Sequence, residues 1–382
     1  MVAKLVYTKR IFKPEAAEET VFLLEDGLIK ALYKEDEVPA ALEKQAQTLD
    51  LRQLLAIPGM IDLQMNGAPF CDFWQDLSPD DVKKLRLEQA QKGVTSFLPT
   101  LITDSLPSLI KHRDFLKKQG AGKPIDNAKI DQAERGLARM PGIHLEGPYL
   151  SPFKPGVHPP EWVLPIETAL QEGSLATLID DSIKMVTAAL EGDPDGSFQS
   201  FLQARGVAVS LGHTNATFAE ANRSFDRGAR LLTHAFNAMA PLLHRKPGAI
   251  GAALLDKRVS TCLIADGLHV LPPICQLIFE LKGSDRLILV SDRAAIGTSQ
   301  GELVGSSISL DDALRNMIDW GICSLGEAAM MASTNAARAI SLSGLIGTLA
   351  PGFHADIAFL DDQLQTVETM IGGYLSSEYK QN

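Results

Sequence analysis

The feature that most constrains the fold is a repeating pattern that begins at Ile57. Short apolar runs alternate there with longer segments of helical spacing, which is typical of successive βα units. Each run is apolar enough to be buried on both faces, as the parallel strands of a barrel are. The pattern predicts an α/β fold with a (β/α)8 TIM-type barrel over residues 57–344. The eight runs are IPGMIDLQMNG, GVTSFLPTLIT, MPGIHLEGPYL, KMVTAALEG, GVAVSLGHTNA, ARLLTHAFNAM, VSTCLIADGLHV and RLILVSDRAA.

The segments on either side of the barrel have a different pattern. Residues 1–56 contain short β-rich pieces, with Asp26 and Gly27 as a turn signal between two apolar runs. Strand-like pieces return in residues 345–382. We therefore expect residues 1–56 and 345–382 to form one small β-sandwich domain beside the barrel.

Helices are predicted between the barrel strands. Ser78 and Pro79 form a helix start signal, an N-cap followed by proline at the first helical position, and Gly93 is a plausible end. Residues 121–138 are polar and predict a loop. Apolar periodicity predicts further helices over residues 217–229, 272–282, 309–320 and 326–341.

The composition excludes several classes of partner. The net charge is −11 and no basic stretch is interleaved with aromatic residues, which argues against nucleic acid. The chain starts without the apolar region of a signal peptide, and no run reaches the roughly 18 apolar residues of a membrane span. We predict a cytoplasmic protein with no membrane partner. The four cysteines are scattered without C-x-x-C spacing, so they indicate neither a disulfide framework nor a thiolate zinc site.

Polar side chains stand where the apolar runs stop. Because a barrel enzyme builds its active site at the C-terminal ends of the strands, we take these residues as candidates. His158 lies in the loop after the third run. In chain order the runs end at Gln64 with Asn66, Thr100, Glu146, Glu191, His213, His234, Asp266 with His269, and Asp292.

Four of these ends together indicate a metal site. Glu146, His213 and His234 supply one oxygen and two nitrogen ligands, and Asp292 adds a free carboxylate. That is the inventory of a catalytic zinc site, which keeps a further position open for water. A divalent ion lowers the pKa of water toward about 7, and a nearby carboxylate accepts the proton. Asp292 is the candidate for this base.

Each of these residues taken alone also has a structural explanation. A lone histidine after a strand is more often hydrogen-bonded in a core than bound to metal, and Glu146 could cap the next helix. Asp292 could form an ion pair with Arg286 or Arg293. The joint pattern favours the metal site over these alternatives.

Six motifs carry a resemblance to a known family. PGMIDLQMNG, HLEGPYL, GHTNAT, THAFNAM, ADGLHV and VSD occur in this order, and the C-terminal piece GTLAPGFHADIAFLDD follows them. Together they resemble the N-acetylglucosamine-6-phosphate deacetylases of the amidohydrolase superfamily over nearly the whole chain. The resemblance implies metal-dependent hydrolysis of the acetamide of N-acetyl-D-glucosamine 6-phosphate to D-glucosamine 6-phosphate and acetate, in amino-sugar catabolism.

The resemblance also implies a role for single residues. Glu146, His213 and His234 match the metal ligands, Asp292 matches the catalytic acid and base, and His158 matches the histidine that polarises the acetamide carbonyl. Asn237, Ala238 and His269 match residues that contact the phosphorylated amino sugar. Arg245 matches an arginine that reaches the phosphate of the neighbouring subunit, which implies a homodimer.

Gln64 and Asn66 stand where many amidohydrolases carry H-x-H for a second metal. Amide side chains are poor ligands for a buried transition metal, so we expect one divalent ion per subunit and count Gln64 and Asn66 among the substrate-binding residues. Zinc is the first candidate for that ion, and Fe2+ or another divalent ion would also suit nitrogen and oxygen ligands.

The region after Asp292 departs from the family pattern. Arg293 follows directly, and it could contact the phosphate or form an outward salt bridge; we favour the salt bridge. The stretch from Asp292 to Ser307 is also short and is expected to lack a hairpin-like insertion. Loops at this end of a barrel set specificity more than chemistry.

Three other functions share part of this pattern. An N-acetylgalactosamine-6-phosphate deacetylase would share the metal and the base and differ in its hydroxyl contacts. A dihydroorotase-like or hydantoinase-like enzyme would need H-x-H and a lysine at the end of the fourth strand, whereas Lys184 begins that run. A protein that binds sugar phosphates without turnover would have little use for Asp292 beside the three metal-ligand candidates.

Overall fold

The structure is a computed structural model that describes residues 3–12, 18–126, 132–171, 173–295, 298–299 and 302–379. In chain order its elements are β1 (Lys4–Ile11), β2 (Val21–Glu25), β3 (Leu28–Tyr33), α1 (Ala40–Gln45), β4 (Gln47–Pro58), β5 (Met60–Met65), β6 (Gly67–Ala68), β7 (Cys71–Asp72), α2 (Pro79–Gln91), β8 (Val94–Ile102), α3 (Leu106–Lys118), β9 (Ile143–Glu146), α4 (Ile166–Gln171), α5 (Ser174–Leu178), β10 (Ile183–Ala188), α6 (Ser197–Gln203), β11 (Ala208–Leu211), α7 (Phe218–Asp226), β12 (Leu231–Leu232), α8 (Gly248–Leu255), β13 (Ser260–Leu263), α9 (Pro272–Lys282), β14 (Leu287–Leu289), β15 (Thr298–Ser299), β16 (Glu302–Leu303), α10 (Leu310–Asp319), α11 (Leu325–Ala332), α12 (Thr334–Ala339), β17 (Ile357–Leu360), β18 (Thr366–Ile371) and β19 (Tyr374–Leu375).

The predicted barrel is confirmed, and within the described residues each of the eight apolar runs contributes one strand. The parallel order is β5-β8-β9-β10-β11-β12-β13-β14. The two ends of this order meet, since the main-chain N–H of Asp292 donates to the Gln64 carbonyl over 2.9 Å. The buried Asp62 carboxylate accepts the Ser291 N–H over 3.2 Å and joins the same two strands. The barrel is nearly closed, so the C-terminal ends of all its strands surround one mouth.

The terminal segments form the predicted β-sandwich, which is hydrogen-bonded continuously as one seven-stranded sheet in the order β19-β18-β17-β4-β1-β2-β3. The long strand β4 pairs with β1 in parallel and with β17 in antiparallel orientation. Phe22 from β2 and Met370 from β18, which lie toward opposite ends of this order, belong to one buried apolar cluster. The sheet therefore encloses its own core beside the barrel.

The predicted helices are present, with one difference. Ser78 accepts the Asp81 N–H and forms a capping box at the start of α2, as the start signal indicated. The single helix predicted over residues 326–341 is wrong, because the chain breaks at Ser333 (φ −139°) into α11 and α12. Residues 127–131 of the predicted loop lie outside the described residues. No helix in the described ranges is both long and apolar enough to cross a membrane.

The stretch after Asp292 corrects one expectation. It was expected to lack a hairpin, yet β15 and β16 pair in antiparallel orientation as a hairpin of two residues on each side. Arg293 instead behaves as we favoured, since its Nη1 lies 2.7 Å from Glu88 Oε1 of α2 in a partly buried ion pair. This salt bridge directs the Arg293 side chain toward a helix of the barrel.

Candidate active site

A cavity of about 190 Å³ opens at the mouth of the barrel. It contains most of the residues at which the apolar runs stop, because parallel strands place their C-terminal ends on one side. The lining residues are Asn66, Trp74, Ile102, Glu146, Gly156, Val157, His158, His213, His234, Asn237, Ala238, His269, Asp292, Leu303 and Gly305.

Two imidazoles converge on one carboxylate in this cavity. Glu146 Oε1 lies 2.9 Å from His234 Nε2 and 3.3 Å from His213 Nε2. The two imidazole nitrogens are 3.1 Å from each other. Burial raises the pKa of Glu146, but the hydrogen bonds and charges of the two histidines outweigh it and hold that pKa well below its ordinary value. Glu146 is therefore a buried carboxylate in its ionised form.

The histidine ring nitrogens that face away from the cavity differ in their hydrogen-bond partners. His213 Nδ1 lies 3.2 Å from the Lys154 carbonyl, which can only accept, so Nδ1 carries a proton and in the neutral ring Nε2 keeps its lone pair. His158 Nδ1 instead accepts the main-chain N–H of Thr103 over 3.2 Å, so its proton is on Nε2. His234 Nδ1 is buried and has no hydrogen-bond partner within the described ranges. Two neighbouring histidines thus present opposite tautomers to the same space.

Asp292 faces this cluster from the eighth strand. Its Oδ1 accepts a hydrogen bond from Asn66 Nδ2 over 2.7 Å. Burial and the negative charge of Glu146 raise the pKa of Asp292 to about 7. A carboxylate with such a pKa can both take and return a proton near neutral pH.

Strained backbone marks the same strand ends. His213, His234 and Asp292 have positive φ angles of 46°, 24° and 48°. Phe236 and Ala238, in the loop after β12, have φ of 75° and 48°. Left-handed backbone at non-glycine residues costs about 1–3 kcal/mol each and is concentrated at functional sites. The backbone therefore identifies these strand ends independently of the side-chain types.

The other predicted site residues fall into three groups. Asn237, Ala238 and His269 line the cavity, and His269 Nδ1 lies 2.6 Å from the Asp266 carboxylate. Gln64 lies beneath the cavity and its amide donates to Glu146 Oε1 over 2.8 Å. Arg245 is not among the lining residues and stands on the exposed segment 241–246.

Glu191 and Thr100 also end apolar runs, and their side chains accept hydrogen bonds from main-chain N–H groups. Glu191 Oε1 accepts the N–H of Asn215 over 2.7 Å and so holds the loop that follows His213. Thr100 Oγ1 accepts the Met65 N–H over 3.0 Å. Thr103, which contacts His158, is the last residue of the second apolar run, but sequence reasoning did not single it out because none of the six family motifs includes it.

Comparison with known proteins agrees with this architecture. The sequence model of the Amidohydrolase family matches residues 55–375. The chain belongs to the amidohydrolase family.

Relatives of this amidohydrolase confirm the resemblance that its motifs indicated. It is 32% identical to an N-acetylgalactosamine-6-phosphate deacetylase of Escherichia coli O157:H7, over 92% of this chain and 93% of that protein. It is 31% identical to an N-acetylglucosamine-6-phosphate deacetylase of Bacillus subtilis (strain 168), over 92% and 91% of the two chains. The crystal structure of N-acetylglucosamine-6-phosphate deacetylase from Pasteurella multocida matches with a TM-score of 0.85, 25% identity and full coverage of both chains.

The amidohydrolase site fits a divalent ion. One ligand atom each of Glu146, His158 and His213 lie within 4.8 Å of one another, and His234 Nε2 adjoins the same carboxylate. His158 and His234 therefore compete for the third ligand position. The protonated Nε2 of His158 has no lone pair to offer, whereas no described group engages the His234 ring from the opposite side. The tautomers thus favour Glu146, His213 and His234 as the donor set.

Proposed function

We propose that this amidohydrolase hydrolyses the acetamide of N-acetyl-D-glucosamine 6-phosphate, releasing D-glucosamine 6-phosphate and acetate in amino-sugar catabolism. The observation that carries the proposal is the buried Glu146–His213–His234 cluster facing Asp292 across one cavity. Relatives that cover most of the chain are deacetylases of phosphorylated amino sugars. The geometry and the relatives support the same reaction.

Glu146, His213 and His234 would hold one divalent ion per subunit. Zinc suits a site of one carboxylate and two imidazoles, and Fe2+ or another divalent ion is also compatible. When bound, such an ion supplies Lewis acidity that activates water and polarises a carbonyl. Gln64 donates to the Glu146 oxygen and so orients this carboxylate, a role we assign to it in place of substrate contact.

Asp292 would act as general base and then as general acid. Its carboxylate takes a proton from the water that attacks the acyl carbon and returns it to the sugar nitrogen as the bond between that nitrogen and the acyl carbon breaks, which leaves the amine on the sugar and releases acetate. The amide of Asn66 holds Asp292 Oδ1 and leaves the other carboxylate oxygen for the reaction. Asn66 also lines the cavity and can therefore contact the substrate as well.

His158 would stabilise the acetamide oxygen as negative charge develops on it. Because Thr103 donates to Nδ1, the proton on Nε2 is directed away from Thr103, and Nε2 lies 3.8 Å from Glu146 Oε2 at the cavity. A neutral donor in a buried site is well suited to this task. Burial and the neighbouring His213 hold the pKa of His158 well below its ordinary value, which favours the neutral ring.

The sugar phosphate would bind on the opposite side of the cavity. His269, backed by Asp266, and the Asn237–Ala238 loop are the candidates in the same chain. Arg245 would reach the phosphate of a neighbouring subunit from its exposed turn. Apolar side chains beside this turn and around the mouth are exposed, as expected of a homodimer interface, among them Leu242, Leu243, Leu268 and Leu271. The cytoplasmic location stays a prediction from the sequence.

N-acetylgalactosamine 6-phosphate is a second candidate substrate. The relative from Escherichia coli that acts on it is as similar to this chain as the Bacillus subtilis enzyme, at 32% and 31% identity. The two sugars differ in one hydroxyl configuration, which leaves the metal, Asp292 and His158 with the same tasks.

The test is acetate release from both phosphorylated sugars by the purified protein, with metal content measured on the same sample. We expect chelator-sensitive release, about one metal ion per chain, and no release from unphosphorylated N-acetylglucosamine. A higher kcat/KM for the glucosamine compound supports the first candidate, and the reverse supports the second. No release from either sugar by metal-loaded protein would contradict both.

A further inference from the structure

Thr103 makes two contacts to one nitrogen of His158. It follows β8, the second barrel strand, and is buried, as is the histidine. Its main-chain N–H donates to His158 Nδ1 over 3.2 Å, and its Oγ1 lies 2.8 Å from the same nitrogen. Within the described residues Oγ1 makes no other hydrogen bond, so the side chain is committed to this histidine.

The main-chain donor determines the direction of both bonds. An amide N–H cannot accept, so Nδ1 must be the acceptor and cannot carry a proton. The Thr103 hydroxyl then donates to the same lone pair. The imidazole proton is thereby placed on Nε2, the nitrogen nearer to Glu146. This assignment follows from contacts made outside the cavity.

The opposite tautomer would change the chemistry of the site. With its proton on Nδ1, His158 would present a lone pair at Nε2, within the group of ligand atoms that lie 4.8 Å or less apart. It could then bind the ion and would lose the hydrogen that the acetamide oxygen needs. We propose that Thr103 is a positioning residue that keeps His158 an Nε2–H donor and keeps it out of the ligand set. This role of Thr103 rests on the proposed function.

Gly147 makes room for this contact. It follows Glu146 in the HLEGP motif and has φ +91°, a region that favours glycine. A Cβ at this position would lie 2.2 Å from Thr103 Oγ1, far inside contact distance. The motif that supplies the carboxylate ligand therefore also supplies the space in which the threonine hydroxyl reaches His158.

The first test compares Thr103→Val with Thr103→Ser in the metal-loaded enzyme. Valine keeps the shape and leaves only the longer main-chain contact of 3.2 Å at Nδ1, without the 2.8 Å hydroxyl contact. The preference for the Nε2–H tautomer is then weaker, so we expect kcat to fall about tenfold, less than the 10²- to 10³-fold typical of losing an oxyanion donor itself. KM and metal content should stay unchanged, and serine should restore kcat to within about threefold of the parent. An unchanged kcat in the valine variant would overturn the proposal.

A double-mutant cycle separates positioning from a general structural role. If Thr103 acts through His158, Thr103→Val should have less than about a twofold effect on kcat in a His158→Ala background. If the two losses multiply, Thr103 acts by another route and the proposal is wrong. Thermal unfolding of all four proteins shows whether the losses follow stability instead.

The tautomer itself can be read without any substrate. Long-range ¹H–¹⁵N correlation spectra of the zinc-loaded protein, with His158 assigned by its loss in His158→Ala, should show an unprotonated Nδ1 and a protonated Nε2. A protonated Nδ1 would overturn the proposal. Because no turnover is needed, this result stands even if acetate release fails, so the failure of the proposed function and the failure of this proposal are distinguishable.

Discussion

The barrel mouth and the terminal sandwich use their residues in opposite ways. In the sandwich, positive φ at a non-glycine residue occurs at tight turns, as at Asp26 before Gly27, where the hairpin requires it. At the mouth it occurs at His213, His234 and Asp292, the residues to which we assign metal binding and proton transfer. The sandwich core is built from apolar side chains that pack against one another. The mouth gathers charged and polar groups that suit a divalent ion.

This difference separates the source of stability in this chain from the source of its activity. A buried carboxylate surrounded by imidazoles is costly unless a cation or hydrogen bonds compensate it. Phe359 in β17 is fully buried and packs in the apolar sandwich cluster. We therefore expect changes at the mouth to affect metal binding and turnover, and changes in the sandwich to affect the free energy of unfolding.

The largest expected effect separates the two histidines that compete for the ion. His234→Ala should reduce the metal content from about one ion per chain to nearly none, and turnover should fall below detection. His158→Ala should keep the ion and lower kcat about 10²- to 10³-fold. Metal analysis and kinetics on the same samples measure both. Loss of metal in His158→Ala with retention in His234→Ala would reverse the ligand assignment.

Asp292→Asn comes next in size. We expect kcat to fall about 10²- to 10⁴-fold, because the amide cannot accept the proton of water, while the protein stays folded and keeps its metal. Asp362→Asn is the matched control in the sandwich, where this exposed carboxylate pairs with Lys9 and should contribute nothing to turnover. Unchanged turnover in Asp292→Asn would remove Asp292 from the mechanism.

Phe359→Ala tests the other half of the comparison. Removing this fully buried ring should lower the free energy of unfolding by about 3–5 kcal/mol, measured by denaturant titration. The folded fraction should keep its kcat. Val367→Ala, on the same sheet with the side chain 57% exposed, should stay within about 0.5 kcal/mol. A loss of kcat in folded Phe359→Ala would show that the two regions are coupled.

The smallest effect is expected from Arg293→Met. The partly buried ion pair with Glu88 should contribute about 1 kcal/mol to stability, and kcat/KM should change less than about twofold. Glu88→Gln should reproduce both values, because it breaks the same pair. A rise in KM for the phosphorylated sugar in Arg293→Met alone would instead place Arg293 at the phosphate.

The barrel and the ring of polar strand ends could be predicted from the sequence because they depend on local pattern. A strand buried on both faces is apolar along its length, and Glu146, His213, His234 and Asp292 stand where those runs stop. The break at Ser333 could not be predicted, because the apolar periodicity continues across this residue whereas the helical conformation of the backbone does not.

The division of roles within the site could not be predicted from pattern. Whether a histidine is a ligand or a donor depends on which group meets its far nitrogen, the Lys154 carbonyl for His213 and the Thr103 N–H for His158. Both partners are main-chain atoms brought in by tertiary structure, so side-chain identity says nothing about them. Gln64 is similar, since only the fold shows that its amide is directed at Glu146.

The strand β4 lies between β1 and β17, so the two ends of the chain meet in one sheet. During synthesis β1 to β4 leave the ribosome first, and β17 emerges only after the whole barrel has been made. Until then one side of β4 presents unpaired main-chain groups, which are a template for pairing with another chain. A product that stops before Ile357 would keep that open edge permanently, and we expect it to aggregate even though every residue of the barrel mouth is present.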